Sequence, residues 1–197
     1  MGHGKEARAI SQLLECVKER ILETVKRSQV PEDAEHAHNT LKWVRTLRPN
    51  PGPLLEIGAL GHDIERAVPE KKVRKEDFSD YNAFKSAHAA NSARILAKLM
   101  EECGWDTRSI QIVSRIVTRH ETGGDEDSDL LRDADAISFF EVNLPYYFKR
   151  HDLQEVERRC IWGYLRLSPG LRHLVKGFKY EDKTLQSLVA RVVKEHS

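Results

Sequence analysis

Apolar residues recur at helical spacing in every long segment of this 197-residue chain, proline, glycine and short polar residues mark the breaks, and no convincing run alternates with period two. These three observations predict an all-α fold. With 40% apolar residues the chain can bury one sizeable core. It reads as a single domain over 1–197, with a helical core over 28–140 and a C-terminal helical extension over 141–197.

From Lys5 to Arg27, Ile10, Leu13, Leu14, Val17, Ile21, Leu22 and Val25 define an amphipathic first helix. Ser28-Gln29-Val30-Pro31 interrupts it. Pro31-Glu32-Asp33 opens a second helix, because proline and acidic residues suit a first turn, and Arg48-Pro49-Asn50-Pro51-Gly52 stops it after Leu47. The almost wholly apolar stretch from Pro53 reads as a buried third helix ending on His62-Asp63. The connection from Pro69 to Asp77 is charged and reads as solvated. Ser79 can cap a long fourth helix through Glu102, with Phe84, His88, Ile95 and Leu99 on one face and Gly104 just past its end. Asp106 or Thr107 caps a fifth helix, in which Ile110, Val113, Val117 and His120 share a face. Glu121-Thr122-Gly123-Gly124-Asp125 ends that pattern. A sixth helix from near Asp127 or Ser128 carries Leu131, Ala134, Asp135, Ile137 and Phe139. Beyond Pro145, Val156, Ile161, Tyr164 and Leu165 continue the helical pattern, Pro169-Gly170 breaks it, and a last helix runs roughly from Glu181 to Glu195.

Composition narrows the function. Lys plus Arg number 32 against 31 Asp plus Glu, a net charge near +1, so no broad basic footprint for nucleic acid and no polybasic arm for a membrane surface is expected. No run approaches the roughly 18 apolar residues of a membrane span, and the first residues lack an apolar signal core. Cys16, Cys103 and Cys160 lie far apart with no Cys-x-x-Cys spacing. Neither a disulfide framework nor a thiolate zinc site is therefore expected, and a reducing cytoplasm fits best.

A carboxylate at the end of a buried helix needs a partner, since burial without one costs several kcal/mol or more. His62-Asp63 is such a place, and the partners are legible elsewhere. His36, His88, His120 and Asp135 each fall on the stripe that their own predicted helix turns toward the core. His36 aligns with Thr40, Trp43, Val44 and Leu47, whereas the alternative, His38, aligns with Leu41, Lys42 and Arg45 on a wetter face. Imidazoles and carboxylates arriving from several helices suit divalent metal. Four histidines and two aspartates exceed the needs of one four-coordinate ion. They fit two ions about 3.5 to 4 Å apart with one carboxylate bridging.

Over about residues 33–140 this order resembles the HD-domain superfamily, in its extended form H…HD…H…H…D. Asp33-Ala34-Glu35-His36 is similar to the opening D-x-x-H, His62-Asp63 to the namesake pair, Leu131-Arg132-Asp133-Ala134-Asp135-Ala136-Ile137 to the closing segment, and His88 and His120 to the two intervening histidines. The resemblance implies an HD-type helical bundle in which His36, His62, Asp63 and Asp135 hold a first metal and His88 and His120 a second, with Asp63 between them. Departures include Asn39 and Thr40 after the first histidine and Arg66 after the pair. The segment after His120 lacks the Gly-Tyr-Pro of cyclic dinucleotide phosphodiesterases, and Arg66-Ala67 does not match the Glu-Asp pair of guanosine tetraphosphate hydrolases, which disfavours both substrate classes. A second His-Asp dipeptide, His151-Asp152, reads as a loop coincidence, and Asp133 as a cap or an exposed charge.

The expected activity is a metal-dependent phosphohydrolase acting on a small phosphorylated or otherwise anionic molecule, with two divalent ions (Fe, Mn, Mg, Ni or Zn). Asp63, Arg66, Lys85 and Glu121 are the expected catalytic residues, Arg66 and Lys85 holding an anionic group and Glu121 acting as a base or orienting a ligand. Arg158 and Arg159 are candidates for a phosphate grip, although a charged helix face is the preferred account of them. Two other classes stay open: a mixed-valent di-iron oxygenase, which the extended motif also resembles, and a non-catalytic binding module that keeps its metals.

Overall fold

A computed structural model describes residues 2–196, and over these the chain is all-helical, with no strand. In chain order the α-helices are α1 (Gly2–Val25), α2 (Asp33–Leu47), α3 (Pro53–Gly61), α4 (Tyr81–Glu102), α5 (Thr107–Thr118), α6 (Glu126–Ser138), α7 (Leu144–Arg150), α8 (Leu153–Arg166) and α9 (Lys183–His196). Short 3-10 segments follow α3, at Ile64–Ala67, Pro69–Lys71 and Lys75–Asp77, and a longer one spans Pro169–Gly177. A π-helical segment, Phe139–Asn143, joins α6 to α7.

Aspartates start four of the helices. Asp80, Asp106, Asp125 and Asp152 accept the backbone N–H groups of Ala83, Ser109, Ser128 and Glu155, each satisfying a donor that has no partner within its own helix. The cap of α4 is thus Asp80 rather than Ser79, and that of α6 is Asp125, upstream of the expected Asp127 or Ser128. Asp152 has the same ordinary task, and His151 stacks on Tyr147 at 3.9 Å, so the second His-Asp pair takes no part in the histidine cluster.

α3 runs through the middle of the bundle. Ile57, Leu60 and Ile64 just beyond it are almost wholly buried, each worth about 1.5–3 kcal/mol of burial. α2 packs on α3 and α6, α4 pairs with α5, and α1 lies against α3 and α4. Val17, Ile21 and Val25 of α1 belong to this first core. A second core begins at Ala136 and gathers Phe140, Val156, Cys160, Tyr164, Leu185 and Val189 from α6 through α9. Trp43 and Leu47 of α2 touch both cores.

The cysteines correct the sequence expectation. Cys16 of α1 and Cys103 at the end of α4 form a disulfide with a Cα–Cα separation of 6.0 Å, while Cys160 is a buried free thiol. Their separation of 87 residues hid this pairing until the two helices packed together. Among the described residues no helix is long and apolar enough to cross a membrane.

Candidate metal centre

Gly61 is the last residue of α3, and a Cβ there would collide with the side chain of Leu96, so only glycine lets α3 meet α4 this closely. The helix then breaks. His62 retains helical backbone angles, but Asp63 leaves them at φ −104°, ψ 13°, and a 3-10 turn follows. The break sends two adjacent side chains in different directions: His62 toward α2 and α6, Asp63 toward α4 and the turn after α5.

Two groups of ligand atoms result. In the first, His36 Nε2 and His62 Nε2 are 3.2 Å apart, and Asp135 Oδ1 lies 3.1 Å and 3.4 Å from them. In the second, His88 Nε2 lies 2.7 Å and His120 Nε2 3.9 Å from Asp63 Oδ1. Asp63 Oδ2 is 3.9 Å from both His36 Nε2 and His62 Nε2, so one carboxylate faces both groups. All six residues expected as ligands converge. His36 is the one of the two candidates that enters the cluster, while His38 is exposed.

Hydrogen bonds on the far side of each ring prepare three of the histidines for a cation. His62 Nδ1 donates to Ala59 O at 2.9 Å and His120 Nδ1 to Val117 O at 2.7 Å, in each case a carbonyl in the last turn of its helix. His36 Nδ1 donates to Ser138 Oγ at 2.9 Å, and that hydroxyl in turn donates to His36 O. A carbonyl can only accept, so the proton sits on Nδ1 and the Nε2 lone pair points inward. His120 Nε2 is buried and faces carboxylate oxygens of Glu121 at 3.2 Å and Asp63 at 3.9 Å. Lone pairs that face one another and a carboxylate repel unless a positive charge lies between them, so the donor set fits a divalent ion.

The charge balance agrees. Burial opposes ionisation of Asp63, but His62, His88 and Arg66 outweigh it and hold the carboxyl well below the usual range. Asp135 is likewise held low against burial, by Arg166, His36 and His62. Burial also opposes a charge on His62, yet Asp63 and Asp135 outweigh it and favour positive charge at that position, which a cation beside Nε2 would supply in place of a proton. The site favours positive charge at its centre.

The expected catalytic residues surround this centre in roles that differ from the simple expectation. Arg66 lines the cavity, but its guanidinium is committed to Asp63 at 2.8 Å and Asp33 at 3.3 Å, steadying the shared carboxylate. Lys85 also lines the cavity and pairs with Glu121. Glu121 is buried, meets Arg166 at 3.1 Å and His120 Nε2 at 3.2 Å, and is held well below the ordinary glutamate range, burial being outweighed by Arg166, Lys85 and His120. Held between Arg166, Lys85 and His120, its carboxylate is placed to orient those side chains and to carry charge. Glu121 can also join His120 and Asp135 as a third set of ligand atoms. Asp133 is buried, not exposed, and accepts the backbone N–H of Ser168 at 2.8 Å, outside the three sets of ligand atoms.

Sequence reasoning missed Glu65, Ser138 and Arg166. Glu65 Oε1 accepts from His88 Nδ1, and Arg166 from α8 donates to Asp135 Oδ2 at 2.8 Å. The C-terminal extension therefore reaches the centre. The connection expected to be merely solvated also contributes, since Lys72, Val73 and Lys75 line the same cavity, whose volume is about 430 Å³. That size lies within the usual range for small-molecule sites.

Fold and centre define an all-helical protein with a buried histidine–carboxylate cluster that can bind metal ions. The chain belongs to the family described as Domain of unknown function (DUF4202), whose model matches residues 8–189. No curated protein and no solved structure gives a match.

Proposed function

We propose that this protein is a metal-dependent phosphohydrolase acting on a small phosphorylated molecule, with two divalent ions. One observation carries the reading: two groups of ligand atoms, His36–His62–Asp135 and Asp63–His88–His120, share Asp63 at a cavity bordered by lysines and arginines. The resemblance of the ligand order to HD-domain proteins supports it further. Ions bound there would supply Lewis acidity toward a phosphoryl oxygen and an attacking water.

The chain's own residues account for the rest. Asp63 and Asp135 supply negative charge to hold cations, while Arg66 and Arg166 keep each carboxylate in its orientation. Lys85, between Glu121 and the cavity, stands where it can shift toward an anionic group once one arrives. Phe139, from the apolar second core, supplies one wall of the cavity.

The test is metal content by elemental analysis alongside phosphate release from a panel of phosphomonoesters and phosphodiesters, for wild type and Asp63→Ala. We expect metal-dependent release that vanishes together with metal in the variant. Full metal content and turnover in Asp63→Ala would overturn the assignment. Oxygen uptake by the iron-loaded protein without phosphate release would favour the oxygenase, and silence of metal-replete protein on every substrate would favour a binding module.

A further inference from the structure

The neighbouring arginines of α8, Arg158 and Arg159, have different surroundings. Arg158 is exposed and bonds Glu155 through Nε and Nη2 at 3.1 Å and 2.6 Å, so it is the surface charge expected of a helix face. Arg159 lines the cavity instead. Its guanidinium carbon lies 4.6 Å from the ring centroid of Phe139 and 4.2 Å from that of Trp162, which fixes the side chain between two aromatic groups.

What distinguishes Arg159 is the lack of an acid. The cavity's other arginines are neutralised, Arg66 by Asp63 and Asp33, Arg150 by Glu32. Among the described residues no carboxylate forms an ion pair with Arg159, and its Nη1 is buried without a hydrogen-bond partner. A buried donor left unmade is costly, and a planar guanidinium held by stacking is already shaped to receive a carboxylate or a phosphate through two parallel bonds. Trp162, on which it stacks, also carries Arg166 at 4.3 Å on the way to Asp135. Arg159 is thus one aromatic layer out from the metal centre.

From this arrangement we infer that Arg159 forms a second anion subsite, so that the substrate carries another negative group, a phosphate or a carboxylate, besides the phosphate at the metals. The inference rests on the phosphohydrolase reading for the first phosphate, but the subsite itself does not require turnover. Its role is recognition of the far end of the substrate.

Calorimetric titration of the manganese-loaded protein tests it with three probes: orthophosphate, phosphoglycolate and propane-1,3-diol bisphosphate. Wild type should bind at least one two-anion probe about tenfold or more tighter than orthophosphate, as a bidentate charged contact warrants. The better of the two identifies the second group as carboxylate or phosphate. Arg159→Met should lose that preference while keeping its manganese content and orthophosphate affinity, and Arg159→Lys should recover part of it. Equal affinity for all three probes in wild type overturns the subsite, as does a preference that survives Arg159→Met, or an equal loss of orthophosphate binding. Binding of two-anion probes that depends on Arg159 but not on manganese would retain the subsite and reject the metal-dependent reading.

Discussion

Glu65 Oε1 accepts a hydrogen bond from His88 Nδ1 at 2.7 Å, and the opposite nitrogen of the same ring, Nε2, lies 2.7 Å from Asp63 Oδ1. Glu65 Oε2 meanwhile accepts from Val73 N at 2.9 Å and Asn91 Nδ2 at 3.1 Å. One buried carboxylate therefore aims a ligand and ties down the loop beside the cavity. Glu65→Gln keeps the shape but removes the charge and turns an amide NH2 against donors. If the proposed ions bind, affinity at Asp63–His88–His120 should fall about 10–100-fold, the usual cost of losing a partner behind a ligand, while binding at His36–His62–Asp135 stays as before. Manganese titration resolves the two sites, and an isotherm unchanged from wild type would remove Glu65 from this role.

Gly61→Ala should destabilise the fold by about 1–3 kcal/mol, since the added methyl meets the fully buried side chain of Leu96. Leu96→Ala alone opens a cavity and costs about 2–5 kcal/mol. The double variant should lose less than the two single effects together, because each change relieves the other. Urea unfolding of the four proteins measures the coupling, and strict additivity would mean that the contact does not matter.

Thiol titration checks the cysteine arrangement. Burial pushes Cys160 up to about 12, so at pH 8 it is a protonated, shielded thiol and a weak nucleophile. The native, unreduced protein should yield no reactive thiol, and the reduced, denatured protein all three. Closing an 87-residue loop confers about 4–5 kcal/mol in the chain-entropy account, so Cys103→Ser should unfold at markedly lower denaturant.

Glu32, just before α2, is bonded by Arg150 of α7, which joins the N-terminal and C-terminal parts of the bundle. Burial raises the Glu32 carboxyl, but Arg150 outweighs it and leaves it below its ordinary value. A carboxyl lowered on folding contributes stability above its unfolded pKa of about 4.3, and loses it as pH falls through the folded value. Glu32→Gln should therefore cost about 1–2 kcal/mol at pH 7, the modest end of charged hydrogen bonds because the Arg150 side chain is 40% exposed. The difference from wild type should vanish in acid below that range. A difference independent of pH would assign the effect to packing.

The helices and the six converging side chains were legible because His36, His88, His120 and Asp135 each share a stripe with apolar neighbours, as His36 does with Trp43 and Val44, and because His62-Asp63 ends a buried helix. The residues behind them were not. Glu65 reads as the continuation of a charged helix end until the chain breaks at Asp63 and turns it under His88. Arg166 carries no motif, and long arginines at helix ends are usually solvated, so only the docking of α8 on α6 reveals its bond to Asp135. Arg158 and Arg159 are chemically identical in the sequence, and the helical turn alone separates a surface charge from a cavity wall.

The bridge between Cys16 and Cys103 makes residues 16–103 a covalent ring that holds His36, His62, Asp63 and His88. His120, Asp135 and Arg166 sit on the strand of chain that leaves it. Any ion coordinated by members of both sets acts as a clasp across that divide, fastening a free arm to a closed hoop. Stripping the ion should then loosen the arm first, with amide exchange quickening from α5 onward while the hoop stays shut.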